Sequence, residues 1–397
     1  MKDTSAPFRL LDSNTINSFL NLHTPCYVID EAAIKRNCEI LASVQESAGC
    51  KILLAQKAFS NFNLYPLIER YLSGSEASGL FEARLGKEEM PTKEVHVFCG
   101  AYKDEEFDEL LKYADHIVFN SINQLKKFAK KAKENKKSIG LRINPECSTQ
   151  DHGIYDPCAS GSRLGVTREV FDKEMTNEYL ELLDGIHFHT LCEQNSDALE
   201  VTIKAVEERF GDILKKVKWL NMGGGHHITR DDYDKEKLIS IVKDVKTKYD
   251  VEVYLEPGEA VALNAGYLVS KVLDEIKNGD VNNLILDASA ACHMPDVIEM
   301  PYMPPIYGAS KEDEKKFKYR LTGPTCLAGD IVGDYTFDEK INLNDYIIFG
   351  DMAIYSMCKN NTFNGMPLPN IYKLKEDKSI ELIKSFGYSD FKDRLGK

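Results

Sequence analysis

A chain of 397 residues is long for a single hydrophobic core, so its length predicts two domains. An apolar share of 43% beside 28% charged residues is ordinary for a soluble globular protein, and no stretch approaches the roughly 20 apolar residues that span a bilayer. The net charge of −13 argues against nucleic acid as a partner, and ten cysteines without a CxxC pair fit free thiols in a reducing cytoplasm better than a disulfide framework. Met1–Leu22 has no basic region followed by an apolar run, so no secretion signal is expected. An acidic field favours a cationic small molecule but names no reaction.

In chain order, Thr24–Asp30 reads as a strand. An eightfold alternation follows: Lys51–Gln56, Gly74–Ser78, Val95–Cys99, His116–Asn120, Ile139–Asn144, Gly185–His189, Lys218–Met222 and Val251–Leu255. Helical faces separate these runs, among them Phe107, Leu110, Leu111 and Ala114; Leu125, Phe128, Ala129 and Ala132; and Leu238, Ile241, Val242 and Val245. Eight apolar strands alternating with helices predict an α/β fold, a (β/α)8 TIM barrel over residues 31–265, with a doubly wound open sheet as the alternative. Past Gly266 the helical period fades. Tyr267–Leu273, Asn283–Asp287, Tyr319–Thr322 and Tyr346–Phe349 read as strands, so residues 1–30 and 266–397 are expected to form a β-rich domain from both termini. The Lys-rich run Lys126–Lys137 reads as the solvated face of a helix.

Barrel active sites lie at the C-terminal ends of the strands. There the first strand ends in Lys57, whose amine would be a nucleophile toward an aldehyde if burial lowered its pKa. The sixth ends in His187-Phe188-His189, with His189 nearest the end and able to stack on a flat ring. The seventh ends in Gly223-Gly224-Gly225, whose amides are able to cradle a phosphate. The eighth ends in Glu256-Pro257-Gly258, a carboxylate for a pyridinium N–H. Singly, each has an ordinary structural reading: a lysine leaving the core, a flexible turn, a core histidine. Together they describe a site for pyridoxal 5′-phosphate.

With these residues in place, the sequence resembles the alanine-racemase-like, fold-type III pyridoxal-phosphate decarboxylases over nearly its whole length. The resemblance implies that Lys57 forms the internal aldimine and that His189 stacks on the cofactor. It also implies that Gly223 to Gly225 meet the phosphate and that Glu256 bonds the ring nitrogen. Gly323-Pro324-Thr325-Cys326 matches the segment whose cysteine enters the partner subunit's active site, which implies a homodimer with Cys326 as general acid. Tyr355, ahead of Thr362-Phe363-Asn364-Gly365, stands where the family tyrosine contacts phosphate.

Three departures are informative. The family's Glu-Pro-Gly-Arg is here Glu-Pro-Gly-Glu, with Glu259 replacing an arginine that bonds phosphate. Leu327 follows Cys326, where ornithine decarboxylases have an aspartate. The arginine with which diaminopimelate decarboxylases grip a distal carboxylate is replaced by Glu299. An acid there repels a carboxylate and attracts an ammonium. Glu299, with Asp296 and Asp330, is therefore expected to bind a cationic substrate. Glu-Pro-Gly-Glu-Ala, His189 to Gln194 and Gly223 to His227 look like the branch that decarboxylates carboxynorspermidine and carboxyspermidine to norspermidine and spermidine. Ornithine, lysine, arginine or diaminopimelate on the same fold is the alternative substrate. No metal is expected, although His187, His189, His226 and His227 leave a metal-dependent hydrolase as a reading from another class.

Overall fold

The computed structural model describes residues 11–150, 153, 156–311 and 314–396. Residues 1–10, part of the expected β-domain and of the expected leaderless start, lie outside the described residues. The chain divides into two compact units, one spanning Arg36–Val261 and the other built from the segments on either side of it. Those limits fall inside the expected 31–265. At the first boundary, Lys35 pairs with Glu376 at 2.9 Å and Glu31 with Lys373 at 3.7 Å, which ties the first turn of helix Glu31–Ala48 to the flanking segments.

The strands, in chain order, begin with β1 (Cys26–Asp30), which belongs to the flanking unit. The barrel follows as β2 (Lys51–Ala55), β3 (Gly74–Ala77), β4 (Glu94–Phe98), β5 (His116–Phe119), β6 (Ser138–Arg142), β7 (Gly185–His187), β8 (Trp219–Asn221) and β9 (Glu252–Leu255). All eight run parallel, and β9 pairs back onto β2 through Lys51↔Tyr254 and Ile52↔Leu255, which closes the barrel and excludes an open sheet. The helices between them bury the faces read from the sequence, such as Leu125, Phe128, Ala129 and Ala132 in Ile122–Glu134. Inside the barrel, Trp219 packs with Leu53, Val118 and Tyr254. Two strand glycines make room for it: a Cβ at Gly185 would lie 1.9 Å from the Trp219 ring, and one at Gly140 would lie 2.3 Å away.

The second unit is a nine-stranded sheet, mostly antiparallel, as the sequence expects. Its further strands are β10 (Gly266–Asn278), β11 (Val281–Leu286), β12 (Ala309–Ser310), β13 (Phe317–Thr322), β14 (Ile331–Phe337), β15 (Tyr346–Gly350), β16 (Asn370–Leu374) and β17 (Ile380–Lys384). The order is β12-β14-β13-β11-β10-β1-β16-β17, with β15 also paired to β10, so the N-terminal strand lies between two strands from beyond the barrel. Alternation sends Tyr27, Leu268, Val272 and Phe349 into one apolar cluster and Val28, Tyr267, Val269 and Ile348 into another. Both faces of β1 and the start of β10 are thus covered, which is why these antiparallel strands read as unbroken apolar runs. The sequence reading omits β12, β14, β16 and β17. Among the described residues, no helix is long and apolar enough to cross a membrane.

Candidate active site

At the C-terminal ends of the barrel strands the chain collects charge that an apolar barrel would otherwise exclude. Lys57 follows β2, and its Nζ lies 3.3 Å from Oε2 of Glu76 on β3. The Glu76 side chain is 1% exposed and its other oxygen, Oε1, has no hydrogen-bond partner. Burial pushes the Glu76 carboxyl up, Lys57 draws it back, and the balance is raised to about 7. The sequence expectation for Lys57 is corrected here. Burial does disfavour its ammonium, but Glu76 and Glu256 outweigh that and hold its pKa above the ordinary value. Lys57 is thus an ammonium held by acids, and its amine is freed only when the proton leaves.

Glu256, just past β9, is 4% exposed and accepts from Asn221 Nδ2 at 2.5 Å. His187 Nε2 stands 3.1 Å from its other oxygen. Burial alone would push Glu256 up, but His187 and Lys57 overcome it and hold the carboxyl at about 2. It therefore stays ionised and able to accept one more proton-bearing group. His187 itself stacks on Phe98, and Arg142 also places its guanidinium over that ring, 4.5 Å from its centroid.

His189 lies beyond the end of β7, and its Nδ1 accepts the Gly224 N–H at 3.0 Å. The same Nδ1 lies 3.2 Å from Gly224 O, and burial pushes the ring's pKa well below the ordinary range, so it is neutral. The glycine run is needed for close backbone approach: Gly223 and Gly225 have φ of 68° and 80°, and a Cβ on Gly225 would lie 2.1 Å from Leu191 O. Two of its three amides are engaged within the site, Gly223 N–H by Asn221 Oδ1 at 2.9 Å and Gly224 N–H by His189.

Glu259 faces His227 Nε2 at 3.1 Å, while Arg230 Nη1 stands 3.3 Å from His227 Nδ1. This arrangement puts an imidazole and an acid at the position where the family pattern described above has an arginine. Glu193, His227 and Glu259 bring ligand atoms within 4.8 Å of one another, although the Arg230 guanidinium beside His227 disfavours a cation there.

The remaining expected residues lie in the β-rich unit. Asp296 and Glu299 form one turn, Asp296–Glu299, and Lys359 Nζ sits between their carboxylates, 2.5 Å from Glu299 Oε2. Asp330 is 2% exposed and accepts from Ser289 Oγ at 2.8 Å and Thr325 Oγ1 at 2.6 Å. Cys326 is exposed at the turn between β13 and β14. Tyr355 is held at φ 47°, a costly backbone conformation for a bulky residue and one found at functional sites. Asn361, at the head of Thr362-Phe363-Asn364-Gly365, donates to Ala291 O at 2.8 Å and Cys292 O at 2.9 Å, which fastens that string to the stretch before Asp296. Glu76, Arg142, Asn221 and Lys359 were not singled out from the sequence. For Glu76 and Arg142 the signal was present, a charge at the C-terminal end of a buried strand.

Residues 26–353 match the family described as pyridoxal-dependent decarboxylase, C-terminal sheet domain. The chain is 44% identical to the carboxynorspermidine/carboxyspermidine decarboxylase of Campylobacter jejuni, across 93% of this chain and 98% of that one. It is 39% identical to the carboxyaminopropylagmatine decarboxylase of a Synechocystis species, across 95% and 96%. The crystal structure of carboxynorspermidine decarboxylase from C. jejuni, complexed with norspermidine, superposes with a TM-score of 0.86 at 43% identity, covering 94% of this chain and 100% of that one.

Proposed function

The chain belongs to the pyridoxal-dependent decarboxylase family, and from that premise we propose that it removes CO2 from carboxynorspermidine or carboxyspermidine, leaving norspermidine or spermidine. One observation carries the substrate reading. Lys359, a primary alkylammonium, is seated between Asp296 and Glu299, the acids expected to bind the substrate's cationic part. The pair accepts the chemical group that a polyamine offers and would repel the distal carboxylate of diaminopimelate.

The barrel residues fit pyridoxal phosphate. Lys57 would hold its aldehyde, Glu256 its ring N–H, the neutral His189 ring its face, and the glycine turn, through Gly225, its phosphate. The orphaned Glu76 Oε1 and the ionised Glu256 mark places where a further polar group is accommodated. When bound, the cofactor supplies an electron sink for the pair released as CO2 leaves.

The protein's own groups then manage protons and charge. Lys57 Nζ must lose a proton before its amine acts, and Glu76 Oε2, 3.3 Å away and with its pKa near neutrality, receives it. Glu256 remains charged through this transfer and keeps its acceptor oxygens directed by Asn221 and His187. Cys326 Sγ serves as the acid that returns a proton to the substrate carbon. In a single chain Cys326 is exposed, beside Leu327 at 44% exposure, a poor setting for an acid that must act away from water. A second copy that covers this surface and takes Cys326 into its site makes the enzyme a homodimer. A cytoplasmic location belongs to the same reading, since the ten cysteines form no disulfide.

The test is turnover by the cofactor-loaded protein, following CO2 and product mass. Carboxyspermidine and carboxynorspermidine are compared with carboxyaminopropylagmatine, ornithine, lysine, arginine and diaminopimelate. Preference for any of the last four would overturn the substrate reading. For the dimer, Lys57→Ala and Cys326→Ala chains are mixed under conditions of subunit exchange; recovery of part of the activity is expected. No recovery despite exchange would place both residues in one chain's site.

A further inference from the structure

Asp330 was expected among the substrate's partners, but its surroundings point elsewhere. The turn from Gly323 to Asp330 closes on itself, with Gly323 N–H donating to Asp330 O at 2.9 Å and Asp330 N–H donating to Leu327 O at 2.9 Å. Inside this closure the carboxylate gathers donors from two segments. Oδ2 accepts from Thr325 Oγ1 at 2.6 Å, Ser289 Oγ at 2.8 Å and, more weakly, Thr325 N–H at 3.4 Å. Oδ1 accepts from Ala291 N–H at 3.2 Å. Ser289 Oγ in turn caps the short helix Ala290–His293 by accepting from Cys292 N–H at 3.2 Å.

This packing decodes the Gly-Pro-Thr-Cys string. A Cβ at residue 323 would come within 2.2 Å of Asp330 Oδ2, so only glycine leaves space for the carboxylate. Thr325 is the residue that donates to it. Cys326 directly follows, and Leu327 N–H stands 3.4 Å from Thr325 Oγ1 on its other side. A carboxylate has about four lone-pair sites, and those of Oδ2 are filled. At 2% exposure, Asp330 has no route to a substrate ammonium that leaves these bonds intact.

We propose that Asp330 is a positioning residue rather than a substrate ligand: it pegs the turn bearing Cys326 to the Ser289–His293 segment that leads into Asp296 and Glu299. The proposal rests on the reading of Cys326 as the proton donor. Through one buried carboxylate, the acid and the substrate-reading acids are then held in a fixed relation within the same unit.

Two variants test it. Asp330→Ala removes the peg, and Thr325→Val removes only one hydroxyl, which keeps a readout if the first variant folds poorly. Asp330→Asn is the conservative control, because Ser289 and Thr325 hydroxyls can rotate to accept from its amide. One readout is the kcat and KM split on carboxyspermidine. The other is the iodoacetamide rate at Cys326, resolved by peptide mass and referred to the exposed Cys358. Asp330→Ala and Thr325→Val should lower kcat, by roughly 10- to 100-fold for the former, the scale of an ångström of misplacement. KM should stay within about twofold, the smaller effect expected of a group that does not touch substrate. Cys326 labelling should shift while Cys358 labelling does not, and Asp330→Asn should recover most of the loss. A rise in KM at constant kcat would make Asp330 a substrate ligand. Unchanged Cys326 labelling in both variants would show that the turn does not depend on the peg. If the wild type releases no CO2 from any carboxylated triamine, the substrate reading fails, while the labelling still decides the role of Asp330.

Discussion

Replacing Asp296 by Asn should impair the enzyme more than replacing Glu299 by Gln. Both acids meet the same lysine, but the Asp296 side chain is 16% exposed and that of Glu299 is 59% exposed. A charge-assisted hydrogen bond in a partly buried setting is worth roughly 1.5–3 kcal/mol. At 1.36 kcal/mol per tenfold, losing it lowers kcat/KM by roughly 10- to 150-fold. An exposed pair is worth about 0.2–1 kcal/mol, so Glu299→Gln should cost only about 1.4- to 5-fold. The sequence alone made Glu299 the leading residue, and exposure reverses that order. Lys359→Met gives the complementary result: with the resident ammonium gone, the substrate's own ammonium meets two uncompensated acids and KM should fall. The assay is CO2 release from carboxyspermidine at fixed ionic strength, with the cofactor absorption confirming equal loading. A greater loss in Glu299→Gln than in Asp296→Asn, or a raised KM in Lys359→Met, would refute the argument from burial and charge.

Gly225→Ala should weaken cofactor affinity, because φ of 80° and a Cβ 2.1 Å from Leu191 O force the loop to move; titration of the apoprotein followed by absorbance checks it. Gly185→Ala drives a Cβ to 1.9 Å from the Trp219 ring, so overpacking should lower stability by about 1–3 kcal/mol or more, read as a shift in denaturant midpoint. Stability should also fall on acidification from pH 6.5 toward 4. Burial lowers His116 to about 3 and His226 and His293 to about 4, so in that window the unfolded chain binds protons that the folded one does not. Equal denaturant midpoints at pH 7 and 5 would contradict this, and His116→Gln should flatten the slope.

The barrel was legible because its strands are buried on both sides and its helices on one, and these two patterns differ in period. Where a strand has neither signature it escapes. In β17, Ile380–Lys384, exposed and half-buried residues mix without a period of two and without a buried position, and β14 carries Gly333 and Asp334 in its middle. Their assignment depends on pairing partners, Leu374 for Ile380 and Arg320 for Asp334, which lie near or far in sequence and which no local pattern announces.

The same limit governs the site. Position along a barrel strand places Lys57, His189, Gly223 and Glu256 at one end of the barrel, but it does not say what each one faces. Read alone, Lys57 is a desolvated amine; beside Glu76 at 3.3 Å it is an ammonium with a proton acceptor at hand. Glu299 read alone is a free anion, and beside Lys359 it is half of a cation seat. In both cases the sequence names the charge and the fold supplies its counter-charge. That distinction has a chemical consequence. Glu76 and Glu256 lie near one lysine yet are driven apart, to about 7 and about 2: burial raises both, but His187 and Lys57 pull Glu256 down, while the Glu256 charge adds to what burial does at Glu76. On the proposed reading, two carboxylates of similar burial then take different parts, Glu76 as the proton acceptor for Lys57 and Glu256 as the standing anion at this end of the barrel.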